Sequence, residues 1–144
     1  MMTRLLVFSL AALILSACGR DDGPDTPLYS IDQTRPAAPA DPALHGCWSS
    51  VLRTPVEPRP LILAVEAETA AYRVSLISPG QGGAVVVFDQ VRLDGPTLAA
   101  ATPLGAFRFE GVLDGPDRLS GEVVQGGLTD TLVFDRAEGE PPGC

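Results

Sequence analysis

The chain has 144 residues, a length typical of one domain, and a formal net charge of −8 with ten arginines and no lysine. An acidic surface without a basic run argues against nucleic-acid binding, in which neutralisation of phosphates dominates the affinity. The content of 15 glycines and 14 prolines favours a linker followed by a turn-rich β domain over a helical bundle.

The N-terminal segment has the pattern of an export signal. After Arg4, residues 5–15 form an apolar run that is shorter than the about 20 residues needed to span a bilayer. The run leads into Leu15-Ser16-Ala17-Cys18, which resembles the lipobox of bacterial lipoproteins. The resemblance implies cleavage before Cys18, a diacylglycerol on its sulfur and a membrane surface as partner. Because Gly19 follows instead of Asp, it also implies sorting to the outer membrane, facing the periplasm. An ordinary signal peptide, or a membrane helix with a chance cysteine, is the alternative.

The predicted organisation has three parts: a signal peptide over 1–17, a lipidated cysteine with a disordered Pro-rich tether over 18–43, and a β domain over 44–144. The tether carries several prolines and almost no apolar periodicity. Such chain is typically extended and semi-rigid, and it would hold the domain away from the membrane. Docking of residues 28–31 on the domain as an edge strand is the alternative.

Beyond His45 the sequence alternates apolar and polar residues with period two, as in Leu61, Leu63 and Val65 opposite Glu66. This pattern indicates a sheet with one buried face. Asp-Gly and Gly-Gly pairs separate the runs and are typical of hairpin turns. The sequence therefore predicts an all-β fold, an antiparallel meander of about eight strands curled into a small barrel or half-barrel. The predicted strands cover 46–53, 60–68, 71–78, 84–93, 98–102, 106–113, 118–125 and 128–136.

The chain has three cysteines, and Cys47 and Cys144 remain as a pair if Cys18 carries lipid. An even pair in the oxidising periplasm indicates a disulfide more often than a metal site. The predicted bridge would join the last residue to the first strand. Two unpaired or intermolecular thiols are the alternative.

Residues 46–136 resemble a small β domain of secreted bacterial proteins, which in some of them precedes an α/β-hydrolase domain. The matches are those of turns and packing positions: Gly46, Trp48, Leu61, Leu63, Ser78, Pro79, Gln81, Gly105, Phe107, Phe109, Gly111, Leu119, Gly121, Gln125, Gly126 and Arg136. The resemblance implies an accessory or substrate-contacting role. It implies no hydrolysis here, because no hydrolase sequence follows Cys144.

No catalytic constellation is predicted. The sequence contains no Gly-x-Ser-x-Gly, no phosphate loop and no zinc-ligand spacing, and His45 is the single histidine. No metal or cofactor is therefore expected. Trp48 is predicted to pack in the core or to close one end of the barrel, with a ligand platform as the alternative. Asp89 and Asp130 fall among apolar residues of the same register. They either mark bulges or the open end of the barrel, or they are the candidates for a polar or binding site.

Three functions follow from these patterns. The first is a lipid-anchored, non-catalytic interaction domain that binds an unknown protein of the cell envelope. The second is a carrier of a small apolar ligand, in which Ala99–Ala101 and the glycines leave a cavity instead of a packed core. The third is an enzyme, most versions of which would require a second histidine or a cysteine to meet His45 in space.

Overall fold

The computed structural model describes residues 31–69, 71–139 and 141–144. Nine strands make up the described fold: β1 Gly46–Arg53, β2 Pro58–Ala67, β3 Tyr72–Ser78, β4 Ala84–Val87, β5 Gln90–Asp94, β6 Thr97–Ala101, β7 Phe107–Leu113, β8 Arg118–Gln125 and β9 Leu128–Arg136. Of three short 3-10 turns, Pro42–Leu44 precedes β1, Pro79–Gln81 follows β3 and Pro103–Gly105 follows β6. The prediction of an all-β antiparallel meander is confirmed.

The strands form one antiparallel sheet in the order β4-β3-β2-β1-β9-β8-β7-β6-β5, curled into a half-barrel. Its two edge strands, β4 and β5, follow each other directly in the chain. The first and last strands, β1 and β9, meet in the middle of the sheet, where Trp48 is opposite Arg136. The curl thus brings the edges near one another, and the link between β4 and β5 crosses from one to the other.

The core lies on the concave face of the half-barrel, where alternate side chains of successive strands meet. Trp48 pairs with Leu63, and Leu119 pairs with Phe134, and all four are at most 1% exposed. The rings of Phe109 and Phe134 pack edge to face at 5.4 Å between centroids, a favourable geometry for aromatic pairs. The period-two pattern of the sequence therefore corresponds to this single buried face.

One predicted strand, 84–93, is wrong as a continuous element. The chain leaves one edge of the sheet after Val87 and joins the other edge at Gln90. Between them the amide of Phe88 donates to the carbonyl of Val74 at 3.0 Å and its ring is buried in the core. This crossing shifts the register by one residue, so Val85 points outward and is 56% exposed. The described fold accordingly has nine strands, where eight were predicted.

The disulfide predicted between Cys47 and Cys144 is present, with the two Cα atoms 6.2 Å apart. It draws the C-terminal tail over the convex face of β2 and β3. Gly143 lies against Ile77, which is buried with Ile62 although both are on the convex side. The tail therefore covers a small second apolar cluster that the sheet alone would leave in solvent.

Residues 31–43 differ from the predicted disordered tether, because they lie along β5. Ile31 is buried against Ala99 and Ala101 on the convex face, and its amide donates to the Gln90 side chain at 2.9 Å. The amide of Asp41 donates to the carbonyl of Gly95 at 2.8 Å. The rest of the predicted tether, the signal peptide and Cys18 lie outside the described residues.

Candidate functional site

The half-barrel has a closed end and an open end. The open end carries the connections after β1, β3, β6 and β8, and the concave face there encloses a cavity of about 260 Å³. Its walls are mostly apolar, formed by Leu52, Leu61, Leu76, Val86, Phe107, Val123, Leu128 and Leu132. Such a concave, largely apolar cavity with a few polar groups is the usual form of a small-molecule site.

The cavity exists because the large side chains that fill the core near the closed end have no equivalents at the open end. Toward the closed end the concave positions are occupied by Trp48, Phe109 and Phe134. At the open end the corresponding positions of β8 and β9 are Gln125 and Asp130, which lie at the mouth and are exposed. Leu128, the partner of Gln125, is 79% exposed. Polar and exposed groups at the mouth leave the space beneath them unfilled.

Arg59 is the cationic group of this cavity. It is in β2 opposite Leu52, in the same register as Leu61 and Leu63, so its side chain faces the concave side. Its Nε atom is buried and has no hydrogen-bond partner among the described residues. A buried charged donor without a partner is unfavourable, and it is a feature to be explained. The sequence prediction missed Arg59 because it lies between Pro58 and Pro60, before the apolar alternation becomes visible.

Asp130 also lines the cavity, which places one of the predicted polar candidates at the candidate site. It is opposite Val123 on the concave face and remains exposed. Its Oδ1 accepts a hydrogen bond from the amide of Thr131 at 2.8 Å. The interruption of the apolar register at this residue therefore marks the open end of the half-barrel, with the carboxylate at the rim.

Asp89, the other candidate, does not join this site. It lies in the crossing between β4 and β5, is exposed, and lines a separate depression with Tyr72 and Glu68. Asp89 was assigned to an apolar register because residues 84–93 were predicted as one continuous strand, and the structure interrupts that strand at this residue. Asp89 and Asp130 therefore belong to different surfaces of the domain and form no shared carboxylate pair.

Trp48 lies near the closed end and has no exposed surface. Its Nε1 donates to the carbonyl of Leu44 at 3.0 Å, and the guanidinium carbon of Arg136 is 4.1 Å from the ring centroid. Arg136 also donates to the carbonyls of Ala43, His45 and Pro116. These contacts tie the start of β1 to the turn between β7 and β8, so Trp48 occupies a packing position and not a ligand platform.

Residues 31–38 are held to β5 by charged groups. The guanidinium of Arg92 donates to the carbonyls of Asp32 and Arg35 at 3.0 and 2.7 Å. Asp94 accepts from the amide of Ala38 at 2.8 Å and pairs with Arg92 at 3.0 Å. The amide of Ala38, followed by the Arg92 guanidinium, lowers the pKa of Asp94 below its ordinary value. The hydroxyl of Thr34 similarly lowers the pKa of Asp32.

Within residues 31–69, 71–139 and 141–144, no group of three or more His, Cys, Asp or Glu side chains is placed to hold a metal ion. His45 packs beside the ring of Tyr72, at 5.4 Å between centroids. No helix in the described part of the chain is long and apolar enough to cross a membrane.

Comparison of the chain with family models, with curated proteins and with solved structures finds no match. The candidate site therefore rests on its own geometry, which is an apolar cavity of bounded size with Arg59 in its wall and Asp130 at its rim.

Proposed function

We propose that this is a cell-envelope protein, anchored through lipid on Cys18, whose β domain binds a small and largely apolar ligand at the open end of the half-barrel. The observation that supports this function is the apolar cavity of about 260 Å³. Protein interiors are normally packed to the density of organic crystals, and barrels of this size are either filled by side chains or hold one small ligand. Between the two non-catalytic functions, the cavity favours the carrier.

Binding without turnover is part of this proposal. The polar groups around the cavity include an arginine and a carboxylate at the rim, but His45 is not among its lining residues. General acid–base and nucleophilic catalysis need two reactive groups within hydrogen-bond reach of one another or of the substrate. The non-catalytic proposal would be contradicted by turnover of an ester, peptide or glycoside substrate that is lost in a folded Asp130→Asn variant.

The binding test uses the full chain with Cys18→Ser, so that no acyl anchor competes for the site. The probe is 1-octanol, followed by NMR titration. Val86→Trp adds a ring to the cavity wall, while Val85→Trp adds the same ring on the convex face, where the residue is 56% exposed. We expect octanol to perturb the resonances of the parent and of Val85→Trp, and to lose this effect in Val86→Trp. Equal behaviour of the two tryptophan variants would contradict the proposed site.

The lipid anchor is tested separately. Cells grown with labelled palmitate should label the parent protein and fail to label Cys18→Ser, because the cysteine sulfur is the proposed nucleophile. Unchanged labelling, or unchanged cleavage and fractionation with the outer membrane in the variant, would contradict the anchor without bearing on the cavity.

A second function, binding of an envelope protein, is favoured by edge strand β4. Its outward residues Val85 and Val87 are 56% and 44% exposed, and an exposed sheet edge is a template for strand addition. A photocrosslinking residue at position 85 should capture a partner in cells if this function holds. Crosslinking no stronger than at the equally outward position 133 would contradict it.

A further inference from the structure

Arg59 indicates the charge of the ligand, which the apolar walls of the cavity do not. Its Nε atom is buried and without a hydrogen-bond partner among the described residues, and the ion pairs of the described residues do not include this side chain. The guanidinium is a fork of fixed donors that matches the geometry of a carboxylate or phosphate. An apolar wall that retains such a group is complementary to a ligand with one anionic end.

The rest of the cavity limits where the anion lies. The inner wall near Leu76, Val123 and Leu132 is apolar, so a second charge buried there would be left without a partner. Asp130 is at the rim, and its carboxylate adds a negative charge to the mouth. Both features disfavour a ligand with two negative charges and orient a single anionic group toward Arg59.

The volume limits the length of the apolar part. A water molecule occupies about 30 Å³ of liquid, so a cavity of about 260 Å³ holds roughly eight or nine groups of that size. A methylene group is of similar size. A hydrocarbon chain of about eight carbons therefore fills the cavity, and longer chains extend past the mouth.

We infer that the ligand of this site is a monoanionic amphiphile, a short-chain carboxylate whose hydrocarbon part fills the cavity and whose carboxylate is bound by Arg59. This inference rests on the proposed function, because it names the ligand class of the same cavity. The carboxylate accepts hydrogen bonds from the guanidinium of Arg59, which lines the cavity.

The test compares octanoate with 1-octanol, which has the same chain length without the charge, on the full chain carrying Cys18→Ser. Binding is measured by NMR titration in the parent, in Arg59→Gln and in Arg53→Gln. Arg53 is a matched control, because it is at the same end of the domain, loses the same charge and is exposed on the convex face. Octanedioate is included as the dianion.

We expect the parent to bind octanoate at least about tenfold more tightly than octanol, since hydrogen bonds to charged groups are the strong ones. Arg59→Gln should abolish this preference and keep octanol binding, while Arg53→Gln retains both. Octanedioate should bind more weakly than octanoate. In Asp130→Asn, octanoate affinity should rise by a few fold at low salt, because the rim then carries no negative charge.

Different outcomes contradict the binding site and the ligand class. If neither octanol nor octanoate binds the parent, the proposed function is wrong. If both bind equally and Arg59→Gln leaves their ratio unchanged, the cavity is a binding site and the anionic ligand class is wrong. If Arg59→Gln binds neither compound, the test is repeated with Arg59→Lys. Because this variant keeps the positive charge, it should still bind octanoate more tightly than octanol. Equal affinities for the two compounds in Arg59→Lys would contradict the anionic ligand class.

Discussion

Arg136 provides the most informative test of how the half-barrel is held together. Its guanidinium lies over the ring of Trp48 at 4.1 Å and donates to three carbonyls, those of Ala43, His45 and Pro116. It thus connects β9, the start of β1 and the β7–β8 turn at the closed end. Replacing Arg136 with alanine removes all of these contacts and leaves three carbonyls with one donor fewer.

The size of the effect follows from these contacts. A cation–π contact contributes about 0.5–1 kcal/mol when partly exposed, and each hydrogen bond from a charged donor about 1.5 kcal/mol at the low end of its range. The side chain is 32% exposed, so the low values apply, and the ion pair with the 75% exposed Asp117 adds little. At these low values the cation–π contact and the three hydrogen bonds sum to about 5 kcal/mol. Because water can hydrogen-bond to the carbonyls of this partly exposed site once the side chain is gone, we expect Arg136→Ala to lower the free energy of unfolding by about 3 kcal/mol. This corresponds to a Tm lower by roughly 12 °C or more.

The assay is urea denaturation followed by far-UV circular dichroism. Arg118→Ala is the matched control, because Arg118 pairs with Asp135 while both side chains are more than half exposed; its loss should cost less than about 0.5 kcal/mol. The free energy of unfolding of Arg136→Lys should lie between those of the parent and Arg136→Ala, because lysine keeps the charge and lacks the several N–H donors of the guanidinium. If Arg136→Ala and Arg118→Ala have the same free energy of unfolding, Arg136 does not hold the closed end together.

Three further predictions concern the rest of the domain. Cys144→Ser should lower the free energy of unfolding by about 2–4 kcal/mol, and a reducing agent should give the same value in the parent; no change in either would show that the tail contributes nothing. Because the pKa of Asp94 is lowered, the docking of residues 31–38 that its carboxylate supports is fully present above the ordinary value of 3.8 and is lost as the pH falls below it. The chemical shift of the Ala38 amide should therefore change in that acidic range. Asp94→Asn should show the low-pH chemical shift already at neutral pH. Gly121→Ala should destabilise by more than about 2 kcal/mol, because its Cβ would overlap a carbonyl of the neighbouring strand, whereas Gly80→Ala, with no contact closer than 3.6 Å, should be near neutral.

The fold class was predictable because the alternation of apolar residues reflects one buried face along almost every strand. The pattern failed where apolar residues are not buried. Val85 and Val87 are β-branched and extend an apparent strand, yet they are exposed on an edge. Nothing in their residue type indicates that the chain leaves one sheet edge after them and joins the other at Gln90.

The docking of residues 31–43 could not be predicted from apolar periodicity, because polar groups hold this segment. Arg92 and Asp94 have the spacing of ordinary strand residues, and their hydrogen bonds to backbone groups of 32–38 depend on the tertiary structure. Proline-rich sequence indicates chain without regular secondary structure of its own, and residues 32–41 have no helix or strand in the structure. The sequence indicated the absence of regular secondary structure and did not indicate the contacts with β5.

The candidate site was predictable in part. Asp130 was identified because a carboxylate interrupts the apolar register, and the structure places it at the rim of the cavity. Asp89 was identified by the same argument and lies elsewhere, because its register was read from a strand that is interrupted. Arg59 was overlooked, although extending the register of Leu61 and Leu63 back by two residues places it on the concave face.

The most direct test of the binding site is a set of intermolecular nuclear Overhauser effects between octanoate and methyl-labelled full chain carrying Cys18→Ser. The ligand's terminal methyl group should contact the methyl groups of Leu76, Val123 and Leu132 inside the cavity. Its carboxylate end should perturb the guanidinium resonances of Arg59, which lines the cavity. Effects confined to the convex-face methyl groups of Val51 and Val133, or none at all at saturating ligand, would contradict a ligand site at the open end of the half-barrel.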